Sequence, residues 1–240
     1  MDAKQISIFQ HLIDLIYPLD IPKLENSQGF SFTKNLSGLS VDNIWVANSL
    51  DSIEIKNTII RIKDGGEYSL VKILAQHFVK QVMDFGVTTA SRKGFVDQES
   101  KDIFEMFARL FDPYINSLIT FVPPDPARLN KRGFHLPEML AKEFTKQMNV
   151  QASGKKNFEI NNIFVKNKKT IRQTGLDREH RLTNLKCKIQ LLECDLQNYE
   201  SVFIIDDVCT TGATINECTM QIKAQFPHIK VYGLAVASNL

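Results

Sequence analysis

The chain has 240 residues, of which 43% are hydrophobic and 23% charged, so it can bury a sizeable core as a soluble globular protein. Its formal net charge of +2 favours no class of partner by itself. The longest uncharged run, near residues 113–124, is too short to span a bilayer, and the N-terminus carries no secretory signal. We therefore expect a cytoplasmic protein without a membrane-spanning helix.

The first half of the chain is predicted to be mainly helical. Apolar residues near the N-terminus lie mostly at helical spacing, and the Gly65–Gly66 pair separates two later helical patterns. The predicted elements are helices over residues 6–16, 53–62, 68–85 and 99–111, a strand over residues 41–47, and a polar loop over residues 85–98.

Strands and helices alternate in the second half, which predicts a parallel sheet with helices on both faces. Ligands of such sheets bind beyond the carboxyl ends of the strands. The predicted strands cover residues 117–122, 159–165, 202–205 and 230–237, the predicted helices cover residues 137–148 and 214–226, and a long polar, basic loop covers residues 166–184.

The cysteines form no zinc-binding pattern, because none lies in a Cys-x-x-Cys pair and the first 186 residues contain none. We interpret all four as reduced thiols of a cytosolic protein. They are Cys187, Cys194, Cys209 and Cys218.

Positive charge is concentrated in one segment. Residues 121–181 contain 13 basic and 6 acidic side chains, whereas the rest of the chain has an acidic excess of five. Such a segment suits an anionic ligand, either a polyphosphate or a nucleic-acid backbone. A solvated basic face without a partner explains the charge equally well.

The stretch FIIDDVCTTGATINE (residues 203–217) carries the strongest chemical signal. A buried strand runs directly into Asp206 and Asp207, and small residues with one glycine follow. The sequence from Thr214 to Glu217 fits a capping box, which predicts a helix beginning directly after the loop. The polarity of a helix N-terminus favours phosphate there.

This stretch therefore has two parts with different ligand preferences. The loop suits a phosphate monoester, while the carboxylates suit hydroxyl donors, a magnesium shell or both. A ribose that carries a 5-phosphate and free 2- and 3-hydroxyls combines these groups. The alternative is a strand–turn–helix junction with a solvated acidic pair.

Residues 202–214 closely resemble the phosphoribosyl-pyrophosphate (PRPP) motif of the type I phosphoribosyltransferases. The resemblance implies that Asp206 and Asp207 are catalytic, hold the ribose hydroxyls and help to bind Mg²⁺ through water and PRPP. It also implies a 5-phosphate loop, which consists of Cys209, Thr210, Thr211, Gly212, Ala213 and Thr214.

Two further stretches resemble the ComF family of phosphoribosyltransferase-fold proteins. FVPPDPARLNKRGFH (residues 121–135) is similar to the family's pyrophosphate-facing segment, and KKTIRQTGLDREHRLTNL (residues 168–185) is similar to its flexible loop. Residues 60–75 resemble, more weakly, an upstream helix–turn–helix of the same family. The implied pyrophosphate-binding residues are Pro124, Arg128, Lys131 and Arg132, and the implied flexible-loop residues are Arg172, Gln173, Arg178 and Arg181.

The chain also departs from the family pattern. ComF proteins usually begin with a cysteine-rich zinc module, but residues 19–40 contain no cysteine, and residues 87–112 look inserted. His135 and Leu136 replace a polar Asn-Gln pair, and His135 is expected to be a packing or surface residue, not an acid–base group. We predict an N-terminal segment without a zinc module over residues 1–50, which extends the fold with mainly helical structure, and a phosphoribosyltransferase-like domain over residues 51–240.

The resemblance implies transfer of 5-phosphoribose from PRPP to an unidentified acceptor, with release of pyrophosphate and Mg²⁺ as cofactor. The arginines of the flexible loop can instead be solvated charges on a surface segment. The alternative function is a non-catalytic protein that handles single-stranded DNA, because ComF proteins are associated with DNA uptake. The sequence is compatible with a homodimer and with binding to another protein, and it does not distinguish them.

Overall fold

The computed structural model describes residues 32–33, 39–91, 98–152, 154, 156–166 and 189–238. The predicted helix over residues 6–16 and the flexible-loop residues lie outside these ranges. The described elements are, in chain order, β1 (Phe32–Thr33), β2 (Asn43–Ser49), α1 (Ile53–Gly65), α2 (Ser69–Ser91), α3 (Gln98–Phe111), β3 (Ser117–Phe121), α4 (Pro126–Arg132), α5 (Leu136–Gln151), β4 (Glu159–Ile160), β5 (Phe164–Lys166), β6 (Ile189–Leu191), β7 (Ser201–Val208), α6 (Ala213–Gln225) and β8 (Lys230–Ser238).

A mostly parallel sheet forms the centre of the protein. Its strand order is β1-β2-β8-β7-β3-β4, and the five strands from β2 to β4 run parallel while β1 is antiparallel to β2. Helices cover the sheet, so the α/β fold class predicted from the sequence is confirmed and is consistent with a phosphoribosyltransferase-like fold. No helix in the described ranges is long and apolar enough to cross a membrane.

Alternate residues of β7 contribute to two different cores. Phe203 and Ile205 belong to the larger cluster with α1, α2, α3 and α5, whereas Val202 and Ile204 belong to the cluster with α6. Both faces of the strand are therefore buried, which explains why its sequence is continuously apolar. Ile215, Cys218 and Ile222 form the buried side of α6, and Phe226 packs at its edge.

The region that looks inserted relative to the family contains α3, and this helix packs into the larger core. Met106 and Leu110 are fully buried, and the Phe107 ring meets Trp45 of β2 edge-on with ring centroids 5.6 Å apart. An added Cβ at Gly86 of α2 would lie 2.4 Å from the Phe111 ring. The two helices are therefore in close contact, and α3 is an integral part of this core.

Several predicted boundaries were wrong. Helix α2 continues to Ser91 into the region predicted as a loop, and the single strand predicted over residues 159–165 is two short strands in different sheets. β4 extends the central sheet, whereas β5 pairs antiparallel with β6, a strand that the sequence pattern did not reveal. Because short apolar runs do not specify their pairing partner, local periodicity could not separate these strands.

Helix α1 has clear signals at both ends. Ser52 caps its N-terminus by accepting a hydrogen bond from the Ile55 amide, and Gly66 ends it in a left-handed conformation with φ of 70°. Glu67 then forms an ion pair with Arg61, with Nη2 and Oε2 2.6 Å apart. The last turn of α1 is thus fixed relative to the turn that follows.

The predicted domain division at residue 50 remains a prediction. β2 precedes that boundary and lies between β1 and β8 in the central sheet. Residues 1–31 of the predicted N-terminal segment lie outside the described ranges.

Candidate functional site

A cleft of about 480 Å³ opens at the carboxyl ends of β3 and β7. The parallel pairing of Phe121 with Ile205 brings these strand ends together, and the Val122 amide donates to the Ile205 carbonyl at 3.1 Å. The lining residues come from α1, the β3–α4–α5 segment, β5 and the β7–α6 junction. They are Lys63, Val122, Pro123, Pro124, Asp125, Arg128, Leu129, Arg132, Phe134, His135, Leu136, Pro137, Lys166, Asp206, Asp207, Val208, Thr210 and Thr214.

Two walls of this cleft differ in chemistry. We call Asp206, Asp207, Thr210 and Thr214 the carboxylate wall, because they lie at the carboxyl end of β7 and in the loop and helix start that follow it. We call the lining residues between Pro123 and His135 the cationic wall, because they include the only two arginines among the residues that line the cleft.

Asp206 and Asp207 belong to the last residues of β7, which continues to Val208, instead of following a strand that ends at Ile205 as predicted. They are 9% and 7% exposed, although both line the cleft. The Asp207 amide donates to Asp206 Oδ1 at 2.8 Å. Burial, followed by the neighbouring Asp207 charge, raises the pKa of Asp206 to about 7.

Lys63 from the last turn of α1 forms an ion pair with this doublet. Its Nζ lies 2.8 Å from Asp207 Oδ2, and the two side chains are 22% and 10% exposed. An ion pair this shielded from water is weakly screened and compensates part of the carboxylate repulsion. Lys63 was not singled out from the sequence, although it lies in the stretch that weakly resembles the upstream family segment.

The loop between β7 and α6 is held in place by its backbone and by one glycine. The Cys209 amide donates to the Ala237 carbonyl at 2.9 Å, and Gly212 has a left-handed φ of 74°. An added Cβ at Gly212 would lie 2.9 Å from Ile44 Cδ1. Glycine is therefore favoured by the left-handed backbone conformation, and the tip of the fully buried Ile44 side chain leaves little room for a Cβ.

The predicted capping box at the start of α6 was wrong. The helix begins at Ala213 with Gly212 as its N-cap, and no side chain caps it. Glu217 instead accepts a hydrogen bond from the Ile189 amide of β6 at 2.9 Å. The box pattern is local, whereas this carboxylate is used by a strand that is distant in sequence.

The N-terminus of α6 retains free hydrogen-bonding capacity. The Ala213 amide lies 3.3 Å from Thr211 Oγ1, and the Asn216 amide is bonded to the Gly212 carbonyl. Within the described residues, the amides of Thr214 and Ile215 have no acceptor. Thr214 lines the cleft, so these donors can bind an anionic group there.

The cationic wall is built around α4, a short helix in the segment expected to face pyrophosphate. Asp125 caps it by accepting from the amides of Ala127 and Arg128 at 3.0 and 3.3 Å, and it also lies 3.4 Å from Lys166 Nζ. Arg132 Nη2 lies 3.1 Å from Asp64 Oδ1 of α1. Arg128 is exposed and has no acidic partner in the described part of the chain.

His135 packs at the base of the cationic wall, as expected, with its ring centroid 5.9 Å from that of Phe121. Its Nδ1 atom is buried and has no hydrogen-bond partner in the described structure. Burial lowers the pKa of His135 to about 4 against the opposing charges of Asp207 and Glu138, so the ring is neutral near pH 7.

The cleft brings together most of the predicted site residues that are described. Pro124, Arg128, Arg132, Asp206, Asp207, Thr210 and Thr214 line it, whereas Cys209 is buried behind the loop and Lys131, Thr211, Gly212 and Ala213 are not among its lining residues. Arg172, Gln173, Arg178 and Arg181 lie outside the described residues. The sequence interpretation did not identify Lys63 of α1 or Lys166 of β5 as residues that line the cleft.

The donor set of the carboxylate wall fits Mg²⁺. No group of three or more potential metal-ligating His, Cys, Asp or Glu side chains occurs among the described residues. Mg²⁺ is commonly bound by one or two carboxylates together with substrate phosphates and water, without a complete protein cage. Asp206 and Asp207 supply two such carboxylates, and they share the cleft with cations suited to phosphate oxygens.

No protein-family profile matches the chain. The chain is similar to Competence protein F of Haemophilus influenzae, with 31% identity over 109 residues. This similarity covers 45% of the chain and 44% of the relative, so the chain matches less than half of that protein's length. The match supports the ComF resemblance identified from the sequence motifs.

Proposed function

Starting from this similarity, we propose that the chain is a ComF-like phosphoribosyltransferase that binds PRPP with Mg²⁺ and transfers 5-phosphoribose to an acceptor. One observation carries the proposal. A buried pair of carboxylates and the open N-terminus of α6 face the same cleft as the arginines of the cationic wall. This combination provides separate groups for hydroxyls, a phosphate monoester and pyrophosphate.

The carboxylate wall would orient the ribose. Asp206 and Asp207 accept hydrogen bonds from the 2- and 3-hydroxyls, and Thr210, Thr214 and the first α6 amides bind the 5-phosphate. These contacts fix the ribose ring relative to the strand end. The carboxylates also supply negative charge near C1, where positive charge develops during transfer.

The cationic wall would stabilise the leaving group. The bond between C1 and the pyrophosphate oxygen breaks, and pyrophosphate leaves with the electron pair. The lone pair of the acceptor forms the new bond to C1, and the acceptor proton is released. Arg128 and Arg132 offset the charge that accumulates on the leaving oxygens. Asp206 and Asp207 would hold Mg²⁺ through water and PRPP, and the ion would supply further electrostatic stabilisation of that charge.

The direct test is thermal unfolding with PRPP and MgCl₂, followed by an assay for PRPP-dependent pyrophosphate release over a panel of bases and ammonia. We expect PRPP to raise the Tm of the wild type by several degrees, because a ligand that binds only the folded state stabilises it. The double substitution Asp206→Asn and Asp207→Asn should abolish this increase.

Glu193→Gln is the matched control, since Glu193 is an exposed carboxylate that does not line the cleft. It should retain the full PRPP effect. A wild-type protein whose Tm does not respond to PRPP with Mg²⁺ contradicts the proposal.

A second candidate function is the handling of single-stranded DNA, as part of DNA uptake. The name of the relative, Competence protein F, and the basic excess of residues 121–181 favour it. Such binding would weaken steeply with salt, because it depends on displacement of counterions from phosphates. Salt-sensitive binding of an oligonucleotide that survives the double substitution at Asp206 and Asp207 would support this function over transfer.

A further inference from the structure

Lys63 stands apart from the motifs that predict the cleft. It belongs to the last turn of α1, whereas the predicted ligand groups lie at or after the carboxyl ends of β3 and β7. Its Nζ nevertheless reaches Asp207 at 2.8 Å, and its side chain lines the cleft together with Arg128 and Arg132. α1 therefore contributes a cation that contacts the carboxylate wall and lines the same cleft as the two arginines.

The hydrogen-bonding capacity of Lys63 is only partly used. An ammonium group has three N–H donors. Among the described residues, the Asp207 carboxylate is the one acceptor found for Lys63, which leaves two donors available on the cleft side. A buried carboxylate that accepts one of the N–H donors holds the lysine side chain in place. The ammonium group is then preorganised to bind a second anion through its two remaining N–H donors.

The end of α1 is anchored on both sides of Lys63. The neighbouring Asp64 contacts Arg132 of α4 at 3.1 Å, and Gly66 closes the helix in the left-handed conformation. The Lys63 side chain therefore starts from a fixed backbone position next to the cationic wall. Because it contacts Asp207 and lines the same cleft as the arginines, it can neutralise a charged group bound there.

We propose that Lys63 is a binding residue for the pyrophosphate group, which it contacts while remaining paired with Asp207. This assignment rests on the proposed function, because it specifies which side chain contacts the leaving group in the same cleft. Lys63 would then join Arg128 and Arg132 in stabilising the charge that develops as the bond to C1 breaks.

The test compares two ligands that differ in the relevant group. Inorganic pyrophosphate and ribose 5-phosphate are titrated separately, at one fixed magnesium concentration, into the wild type, Lys63→Met, Lys63→Arg and Lys56→Met by calorimetry. Lys56 is an exposed lysine of the same helix that does not line the cleft, so it controls for loss of one positive charge.

Lys63→Met should weaken pyrophosphate binding about ten-fold or more, as expected for loss of a charge-assisted hydrogen bond, and should change ribose 5-phosphate binding less than about two-fold. Lys63→Arg should retain most of the pyrophosphate affinity, and Lys56→Met should match the wild type for both ligands. Selective loss with Lys63→Met supports the inference.

Two other results overturn the inference while leaving the proposed function intact. An equal loss for both ligands would show that Lys63 acts only on Asp207 or on the fold, and unchanged pyrophosphate binding would show that it does not contact this group. If the Lys63→Met protein fails to fold, Lys63→Gln replaces it in the same titrations. Weaker pyrophosphate binding with unchanged ribose 5-phosphate binding then supports the contact, and unaltered affinity for both ligands opposes it. A wild type that binds neither ligand overturns the proposed function and this inference together.

Discussion

The carboxylate wall and the cationic wall are held in place by different interactions. The carboxylate wall begins at the end of a strand that is buried on both faces, and an added Cβ at Gly212 of its loop would lie 2.9 Å from the tip of the buried Ile44 side chain. The cationic wall lies on and beside a seven-residue helix that has no buried residue and is joined by ion pairs to α1 and β5, and Gly133 at the end of this helix has no atom within 4 Å of an added Cβ. The first wall is therefore fixed by packing, whereas the second can adjust to a ligand.

Alanine substitutions at one glycine of each wall are expected to give the largest change in the free energy of unfolding. Gly212 and Gly133 have nearly the same left-handed φ, 74° and 75°, so alanine costs about 1–2 kcal/mol at either position through the backbone alone. At Gly212 the contact with Ile44 adds about 1–3 kcal/mol of overpacking. Urea unfolding should therefore show a clearly greater loss for Gly212→Ala than for Gly133→Ala.

Equal losses of stability in the two variants would contradict the conclusion that packing fixes the carboxylate wall more firmly than the cationic wall. Ligand titrations give a second comparison, because Gly212→Ala should weaken ribose 5-phosphate binding more than Gly133→Ala does. A larger loss of ribose 5-phosphate binding in the Gly133→Ala protein would argue against the 5-phosphate site on the carboxylate wall.

A smaller effect is expected from Asp206→Asn, which removes the buried negative charge but keeps the shape of the side chain. The folded-state pKa of Asp206 is raised to about 7 by burial and by Asp207, above its unfolded value. The stability contributed by the protonated carboxyl is thus complete below about pH 4 and is lost as the pH rises through about 7. The variant should be more stable than the wild type at pH 8, and the difference should shrink towards pH 5.

Urea unfolding at pH 5, 6, 7 and 8 measures this difference, with Glu193→Gln as the exposed control that should show no such trend. An Asp206→Asn protein that is less stable than the wild type at pH 8 would mean that the carboxylate contributes favourable contacts in the unliganded fold that exceed its desolvation cost.

The smallest change in stability and in ligand affinity is expected from Asp64→Asn, which acts on the cationic wall. The side chains of Asp64 and Arg132 are 66% and 29% exposed, so their ion pair contributes little to stability. Removing the Asp64 charge frees Arg132 for an anion, and pyrophosphate binding should tighten about two-fold. Glu54→Gln removes the same charge at the other end of α1 and should leave pyrophosphate affinity unchanged in calorimetric titration.

The sequence alone determined the chemistry of the carboxylate wall and the class of the fold. The run from Phe203 to Asp207 combines a continuously apolar strand with two carboxylates, and the small residues that follow it allow a tight loop. Strands alternating with helices then indicate a parallel sheet, whose carboxyl ends bind ligands. These are local patterns, and they are readable because each depends on neighbouring residues.

Only the tertiary structure decided which distant groups share the cleft. Lys63 reaches Asp207 from α1, Lys166 reaches Asp125 from β5, and Glu217 bonds the β6 backbone although its spacing fits a capping box. Lysine and glutamate side chains are usually solvated, so their local sequence gives no sign of these partners. The order of strands in the sheet sets the contacts, because it brings the ends of β3 and β7 together beside the last turn of α1.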